Sequence, residues 1–340
     1  MGPATFGAFT EALRGRQTDL TRLSGEGEGF RPDYTRRVRS FGGMRWVSLL
    51  PAATAWIKAL HQTRHLIGRS HLDEDDPEVQ HLPACTHYTL QAPRESWETF
   101  LSPFPIDTGA LASLKPDAIL TAFQTPIPDV DETAAIQALQ KAIGHPVQVF
   151  SCHATSWEAY LAQAQKIGQA LGKTGLLQKI LRDSQKRLET LTQKAAGLQD
   201  VSAVVLSPGS APGLVQVQGG WAASFAPRVK MHLAVPIEPF QSHIIRMERL
   251  IELDPEVVIF SHPEASIAKS GQMLSAWSRQ PAVQTLTAYR RKRLYAMDGL
   301  KAFFWSGPDL IATAEALYEI LHTPTYRFNK HLGRLWAPLL

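Results

Sequence analysis

Cysteine is scarce. Cys85 and Cys152 are the only two in 340 residues, with no C-x-x-C pair, which excludes a disulfide framework and argues against a structural zinc site. A surplus of one charge is missing too: Lys+Arg number 35 against 31 Asp+Glu, a net charge of +4. The basic residues sit in short runs such as Arg290-Arg291-Lys292-Arg293. No nucleic-acid-binding motif accompanies them, so they read as solvated surface and no nucleic acid is expected as a partner. Gly and Pro, 23 of each, exclude a collagen-like or low-complexity chain. The first 30 residues lack an apolar run and carry Glu11, Arg14, Arg16, Asp19 and Arg22. No secretory signal is read there, and the expectation is a cytoplasmic chain, or a periplasmic one if the true start lies upstream. Val201 to Pro227 is uncharged and long enough to span a bilayer, but Pro208, Gly209, Pro212, Gly213, Gly219 and Gly220 break it into strands and turns, so no membrane insertion is expected. P-loop, dinucleotide-binding and Ser-His-Asp signatures are also missing, since Gly42-Gly43 and Gly219-Gly220 are isolated pairs.

What is present is core-forming material. Hydrophobic residues make up 44% and charged residues 19%, enough for two domains of roughly 150 residues each. Residues 1–44 read as an N-terminal extension with little periodicity. From Arg45 the texture changes to short apolar runs alternating with helical patterns. Trp46 to Leu50, ended by Pro51, Leu66 to Gly68, Ala118 to Ala122 and His145 to Phe150 read as buried strands; Thr54 to Leu60 and Glu132 to Ile143 read as helices. This alternation predicts a parallel sheet with crossover helices. Residues 154–198 are a long helical region: Ala154 to Leu171 with Ser156 as an N-cap, then, after Gly172 and Gly175, Leu176 to Leu198 with Leu177, Ile180, Leu181, Leu188 and Leu191 on one face. They form a connecting helical region between two sheet-bearing halves.

The second half repeats the first. Val201 to Leu206 followed by Ser207-Pro208 echoes Val47 to Leu50 followed by Pro51, and Leu253-Asp254-Pro255-Glu256 before Val257 echoes Leu114-Lys115-Pro116-Asp117 before Ala118. The expected architecture is therefore α/β, duplicated and two-lobed, with sheet-bearing halves at 45–153 and 199–323, a connecting helix region (154–198) and a C-terminal tail (324–340). The tail interleaves Tyr326, Phe328, Leu332, Leu335 and Trp336 with basic residues. It either packs across the second lobe or docks on a partner.

Several segments resemble a known family. Trp46 to Thr54, Leu66-Ile-Gly-Arg-Ser-His71, Leu82-Pro-Ala-Cys-Thr86, Leu114-Lys-Pro-Asp117, Gly168 to Gly172, Leu253 to Ile259 and Tyr295 to Gly299 with Gly307-Pro308 together look like cobalamin-binding proteins of the vitamin B12 periplasmic-binding family, class III ABC-transporter substrate-binding proteins. The resemblance covers residues 45–323. It implies two Rossmann-like lobes with parallel sheets joined by a long connecting helix, and non-catalytic capture by a monomer, in the ligand cleft between the lobes, of a corrinoid such as cobalamin, less readily haem, or another large tetrapyrrole or metal chelate. Delivery would be to an ABC permease or to a cytosolic acceptor protein. No cofactor is required.

The resemblance also places candidate residues. Pro51, Ala52 and Ala53 stand where the first strand meets a helix, and their backbone either faces the cleft or makes a simple turn. His71 and His87 are the possible axial metal ligands, although the segment His71-Leu72-Asp73 departs from the His-Glu-Cys of many relatives. Phe123 and Gln124 follow a strand, Trp221 follows Gly219-Gly220 in a polar loop as a stacking surface, Asp298 contributes a carboxylate to the ligand, and Trp305 is the aromatic expected in the cleft among Phe303, Phe304 and Trp305. For permease docking Glu248 serves the second lobe, and the first-lobe partner is one of Asp129, Asp131 and Glu132. Two other readings stay open. One is an interaction protein that keeps the fold and has lost its ligand. The other is a metal chelatase using His71 or His87 with Glu74.

Overall fold

The computed structural model describes residues 43–88, 94–124, 130–209, 211–323 and 328–339, all of which fall in one compact unit, Phe41–Leu340. The N-terminal extension up to residue 42, Asp129 and Tyr326 lie outside the described residues. Among the described residues no helix is long and apolar enough to cross a membrane.

The first lobe is built on four short parallel strands, β1 (Trp46–Ser48), β2 (Leu66–Gly68), β3 (Ala118–Thr121) and β4 (Gln148–Ser151), ordered β2-β1-β3-β4. All of β1 and β3 is buried, as expected of strands covered on both faces by crossover helices. Pro51 starts the helix Pro51–Ala59 at its first position, where its missing N–H costs nothing. Asp131 caps the helix Glu132–Ile143, accepting from the Ala134 amide at 2.8 Å, and Gly144 ends it with φ 73°. Its buried stripe, Ala135, Leu139 and Ile143, follows the four-residue spacing of one helix face.

The second lobe holds β5 (Val201–Pro208), β6 (Leu214–Gln218), β7 (Met231–Leu233), β8 (Ser242–Arg246), β9 (Val257–Phe260), β10 (Leu294–Met297) and β11 (Trp336–Pro338), ordered β11-β10-β9-β5-β6-β8 with β7 also paired to β5. Its centre is parallel, but β6, β8 and β11 run antiparallel to their neighbours. Sequence periodicity gives no strand direction and so does not distinguish these antiparallel edges from the parallel centre.

The internal echo between the halves is physical. The helices Thr108–Leu114 and Met247–Leu253 each end in a non-glycine residue in the left-handed region, Lys115 (φ 47°) and Asp254 (φ 38°), directly before a proline. In each case the acidic residue after that proline caps the first strand of its lobe: Asp117 accepts from the Arg45 amide at 2.8 Å, and Glu256 from the Ser202 amide at 3.3 Å. A left-handed non-glycine residue costs roughly 1–2 kcal/mol. Lys115 is exposed and its cap uses backbone only, so Lys115→Gly is expected to raise the melting temperature by a few degrees. Asp254→Gly is expected to bring no gain, because Asp254 also accepts from the Thr287 amide and hydroxyl at 2.7 and 2.6 Å. Paired thermal melts check both; a destabilised Lys115→Gly would refute the argument.

The connecting region comprises two helices, Trp157–Ala170 and Thr174–Ala195, broken at Gly172 (φ 64°). Gly168 is required for their close packing: a Cβ there would stand 2.5 Å from the Leu177 side chain. Direct bonds tie this region and the first lobe to the turn that precedes the last helix, Ile311–His322. Trp56 Nε1 donates to Ser306 O at 2.8 Å, Ser306 Oγ to Ala154 O at 3.4 Å and Tyr160 Oη to Pro308 O at 3.3 Å.

Candidate functional site

A cavity of about 500 Å³ lies between the lobes. Its first-lobe wall includes Arg94, Phe104, Gln124 and His153, and its second-lobe wall includes Gln218, Phe240, Glu264, Phe304 and Trp305. Two other depressions of similar volume belong to the second lobe alone, one along the helix Ile267–Ser278 and one beside β8. Neither carries an aromatic residue in its wall. The inter-lobe cavity also lies beyond the carboxyl ends of parallel strands, where open α/β sheets place their ligands: Gln124 follows β3, His153 follows β4 and Glu264 follows β9.

Phe104 reaches the cavity on a loop pinned by Arg94. That guanidinium donates to the carbonyls of Glu98 at 2.9 Å, of Pro103 at 3.1 Å and of Phe104 at 3.1 Å. Across the cleft the Phe104 ring lies 5.7 Å from Trp305. Trp305 Nε1 is buried without a hydrogen-bond partner among the described residues. His153 is half-buried, and its ring packs edge-on against Phe240 at 5.2 Å. Burial lowers its pKa, which favours the neutral imidazole.

Two of the ten residues expected to bind ligand, Gln124 and Trp305, line the cavity. The others stand elsewhere, each for a local reason. The amides of Ala53 and Thr54 bond back to Leu50 O, and Ala52 and Ala53 are buried, with Gly307 packed over Ala52; the Pro51-Ala52-Ala53 turn is covered, not open. His71 is buried one layer behind the wall. Its ring is edge-on to Tyr88 at 4.4 Å and to Phe104 at 5.2 Å, its Nδ1 is 2.8 Å from Thr86 Oγ1, and burial lowers its pKa to about 4. His87 turns to the surface, 3.3 Å from Asp107. Phe123 stacks on Phe100 at 5.3 Å in the outer core of the first lobe.

Trp221 is fully buried, stacked on Phe225 and edge-on to Phe240, so it offers no free surface for stacking. The flanking glycines reflect crowding, not exposure: a Cβ on Gly219 would meet Glu238 O at 2.2 Å, and one on Gly220 would meet the Phe303 ring at 2.4 Å. Asp298 is buried as a helix cap, accepting from the amides of Leu300 and Lys301 at 2.9 and 2.7 Å and from Ile267 at 3.2 Å. Its carboxylate is used up inside the lobe. Glu248 and Glu132 are both exposed in the first turn of a helix, one on each lobe, and exposed Asp131 caps the latter helix.

Comparison with known proteins adds the following. The family described as periplasmic binding protein matches residues 47–299. No curated protein matches the sequence significantly. Among solved structures, the chain is similar to a periplasmic heme binding protein from Pseudomonas aeruginosa at 18% identity and TM-score 0.67, covering 87% of this chain and 98% of that one. It is similar to the periplasmic heme-binding protein RhuT from Roseiflexus sp. RS-1 at 18% identity and TM-score 0.61, covering 82% and 99%. It is also similar to the periplasmic vitamin B12 binding protein BtuF of Vibrio cholerae at 15% identity and TM-score 0.59, covering 82% and 96%. At these identities the structural likeness establishes the fold.

Proposed function

Because this chain belongs to the periplasmic binding protein family, we propose that it captures a metal-bearing tetrapyrrole, a corrinoid or haem, between its lobes and releases it unchanged. The observation that carries this reading is the cavity itself, walled by Phe104 from one lobe and Phe240, Phe304 and Trp305 from the other, with polar groups at the strand ends. Flat aromatic walls suit a flat macrocycle. A volume of about 500 Å³ lies within the usual range of ligand sites and favours a bare macrocycle over cobalamin with its nucleotide loop. Among the described residues no group of three or more His, Cys, Asp or Glu could hold a metal ion, which favours a metal that arrives inside its own chelate. The neighbours in structure that bind heme and vitamin B12 support the same ligand class.

The family description favours the periplasm for this chain in place of the cytoplasm expected from residues 1–30. It also favours an ABC permease as the recipient, with Glu248 and Asp131 or Glu132 as docking acids on the two lobes. A lined cavity speaks against an interaction protein that has lost its ligand, and His87, turned away to Asp107, speaks against the chelatase arrangement.

Purified protein incubated with haem, cobinamide or cobalamin and then desalted is expected to keep an absorption band with one of the first two. A colourless protein with all three would overturn the reading.

A further inference from the structure

We infer that His153 is the protein's ligand to the metal of its cargo, in place of either His71 or His87. The inference rests on the tetrapyrrole reading above and assigns the metal-binding atom within that site.

Three first-lobe histidines are candidates, and their settings differ; in the second lobe His262, next to the wall residues Pro263 and Glu264, has its Nδ1 occupied by the Glu264 amide at 3.2 Å. His87 is paired with Asp107 at 3.3 Å on the outer surface. His71 has its Nδ1 against Thr86 Oγ1, and its Nε2 is buried with no accessible surface behind Tyr88 and Phe104. A metal could reach that nitrogen only after two aromatic rings had moved. His153 alone of the three is part of the cavity wall. Its backbone amide is fixed by Ser151 Oγ at 3.1 Å and its ring by the edge-on contact with Phe240, yet its ring nitrogens take part in no hydrogen bond among the described residues. An imidazole held in place in a cavity wall, with its nitrogens not engaged by the protein, is a donor suited to iron or cobalt. Glu264 shares the cavity wall, and its charge offsets part of the positive charge of a bound ferric or cobaltic centre.

The test uses ferric haem, aquocobinamide and metal-free protoporphyrin IX as probes, with the wild-type chain and His153→Ala. Wild-type protein is expected to show a nitrogen-ligated Soret spectrum with haem, or a shifted corrin band with aquocobinamide. His153→Ala is expected to lose that signature and to bind the metallated probe at least about tenfold more weakly. Protoporphyrin IX, which offers no metal, should bind both proteins alike, and added imidazole should restore the wild-type spectrum to the variant. Should the alanine variant not fold, His153→Gln reads the same way, since it keeps polarity and approximate size but supplies no imidazole. An unchanged spectrum and affinity in the variant, with protoporphyrin IX still bound, would overturn the inference and leave the tetrapyrrole reading standing. If wild-type protein takes up none of the three probes, the tetrapyrrole reading itself fails and this assignment goes with it.

Discussion

Replacing Trp336 by alanine is expected to lower the stability of the protein by about 3–5 kcal/mol. The C-terminal tail adds β11 to the open edge of the second sheet, with Met297 opposite Trp336, Ala296 opposite Ala337 and Tyr295 opposite Pro338. The Trp336 ring is fully buried, edge-on to Tyr295 at 5.6 Å. Its Nε1 donates to Glu319 Oε2 at 2.8 Å, and the same carboxylate accepts from the amides of Lys330 and His331 at 2.9 and 3.1 Å. The substitution therefore opens a cavity and takes one donor from a buried carboxylate, and the two costs have the same sign. Trp336→Phe keeps most of the packing and is expected to cost about 1–3 kcal/mol, chiefly the lost hydrogen bond. Of the two roles open to the tail, packing across the second lobe is the one the structure adopts. Denaturant unfolding measures the effect, and a loss below about 1 kcal/mol for alanine would mean that the tail is detachable.

How much of this was legible in the sequence depended on whether the signal was local. The apolar runs ending at Pro51 and Pro208, and the Lys115-Pro116-Asp117 and Asp254-Pro255-Glu256 turns, place β1, β5, β3 and β9, because a buried parallel strand is a short continuous run bounded by turn residues. Strand β8 alternates weakly and is mostly exposed, and β11 pairs only through tertiary contact, so neither has a local signature. The site was harder to read. Trp221 between Gly220 and Ala222 looks the same whether the glycine marks an exposed loop or a tight crossing; only the position of Glu238 and Phe303 distinguishes them. Phe104 gains its place through Arg94 binding the loop that carries it, an interaction that no spacing rule encodes. His153 and Glu264 were recoverable. The strand-end rule that points to Gln124 after β3 applies equally after β4 and β9, whereas the family resemblance points to His71 and His87.

The second large effect is expected at Glu315. Its carboxylate accepts a two-point contact from Arg187, Nε to Oε1 at 2.9 Å and Nη2 to Oε2 at 2.7 Å, and meets His331 Nε2 at 2.7 Å. Arg187 belongs to the second connecting helix, Glu315 to the last helix and His331 to the tail, so one side chain joins three segments distant in sequence. Glu315→Ala leaves the Arg187 guanidinium with Asp309 at 2.8 Å and takes the Nε2 partner from the wholly buried His331 ring, whose Nδ1 keeps Arg334 at 2.7 Å. Breaking a largely buried pair from one side costs about 3–5 kcal/mol.

Despite the opposing effect of burial, bonds from Arg187 and His331 hold the Glu315 carboxyl well below its ordinary value of 4.5. A depressed carboxylate stabilises the folded state fully above the unfolded value and loses that contribution as pH falls towards the folded one. Wild-type stability should therefore decline below about pH 4.5, and the decline should be shallower in Glu315→Gln, which has no carboxylate to protonate. Urea titrations across that range check the slope, and parallel slopes for the two proteins would remove Glu315 as its source. None of these residues lines the cavity. Folded Glu315→Gln is accordingly expected to bind tetrapyrrole as the wild type does, and a weaker affinity in protein that is still folded would mean that this cluster also sets the distance between the lobes.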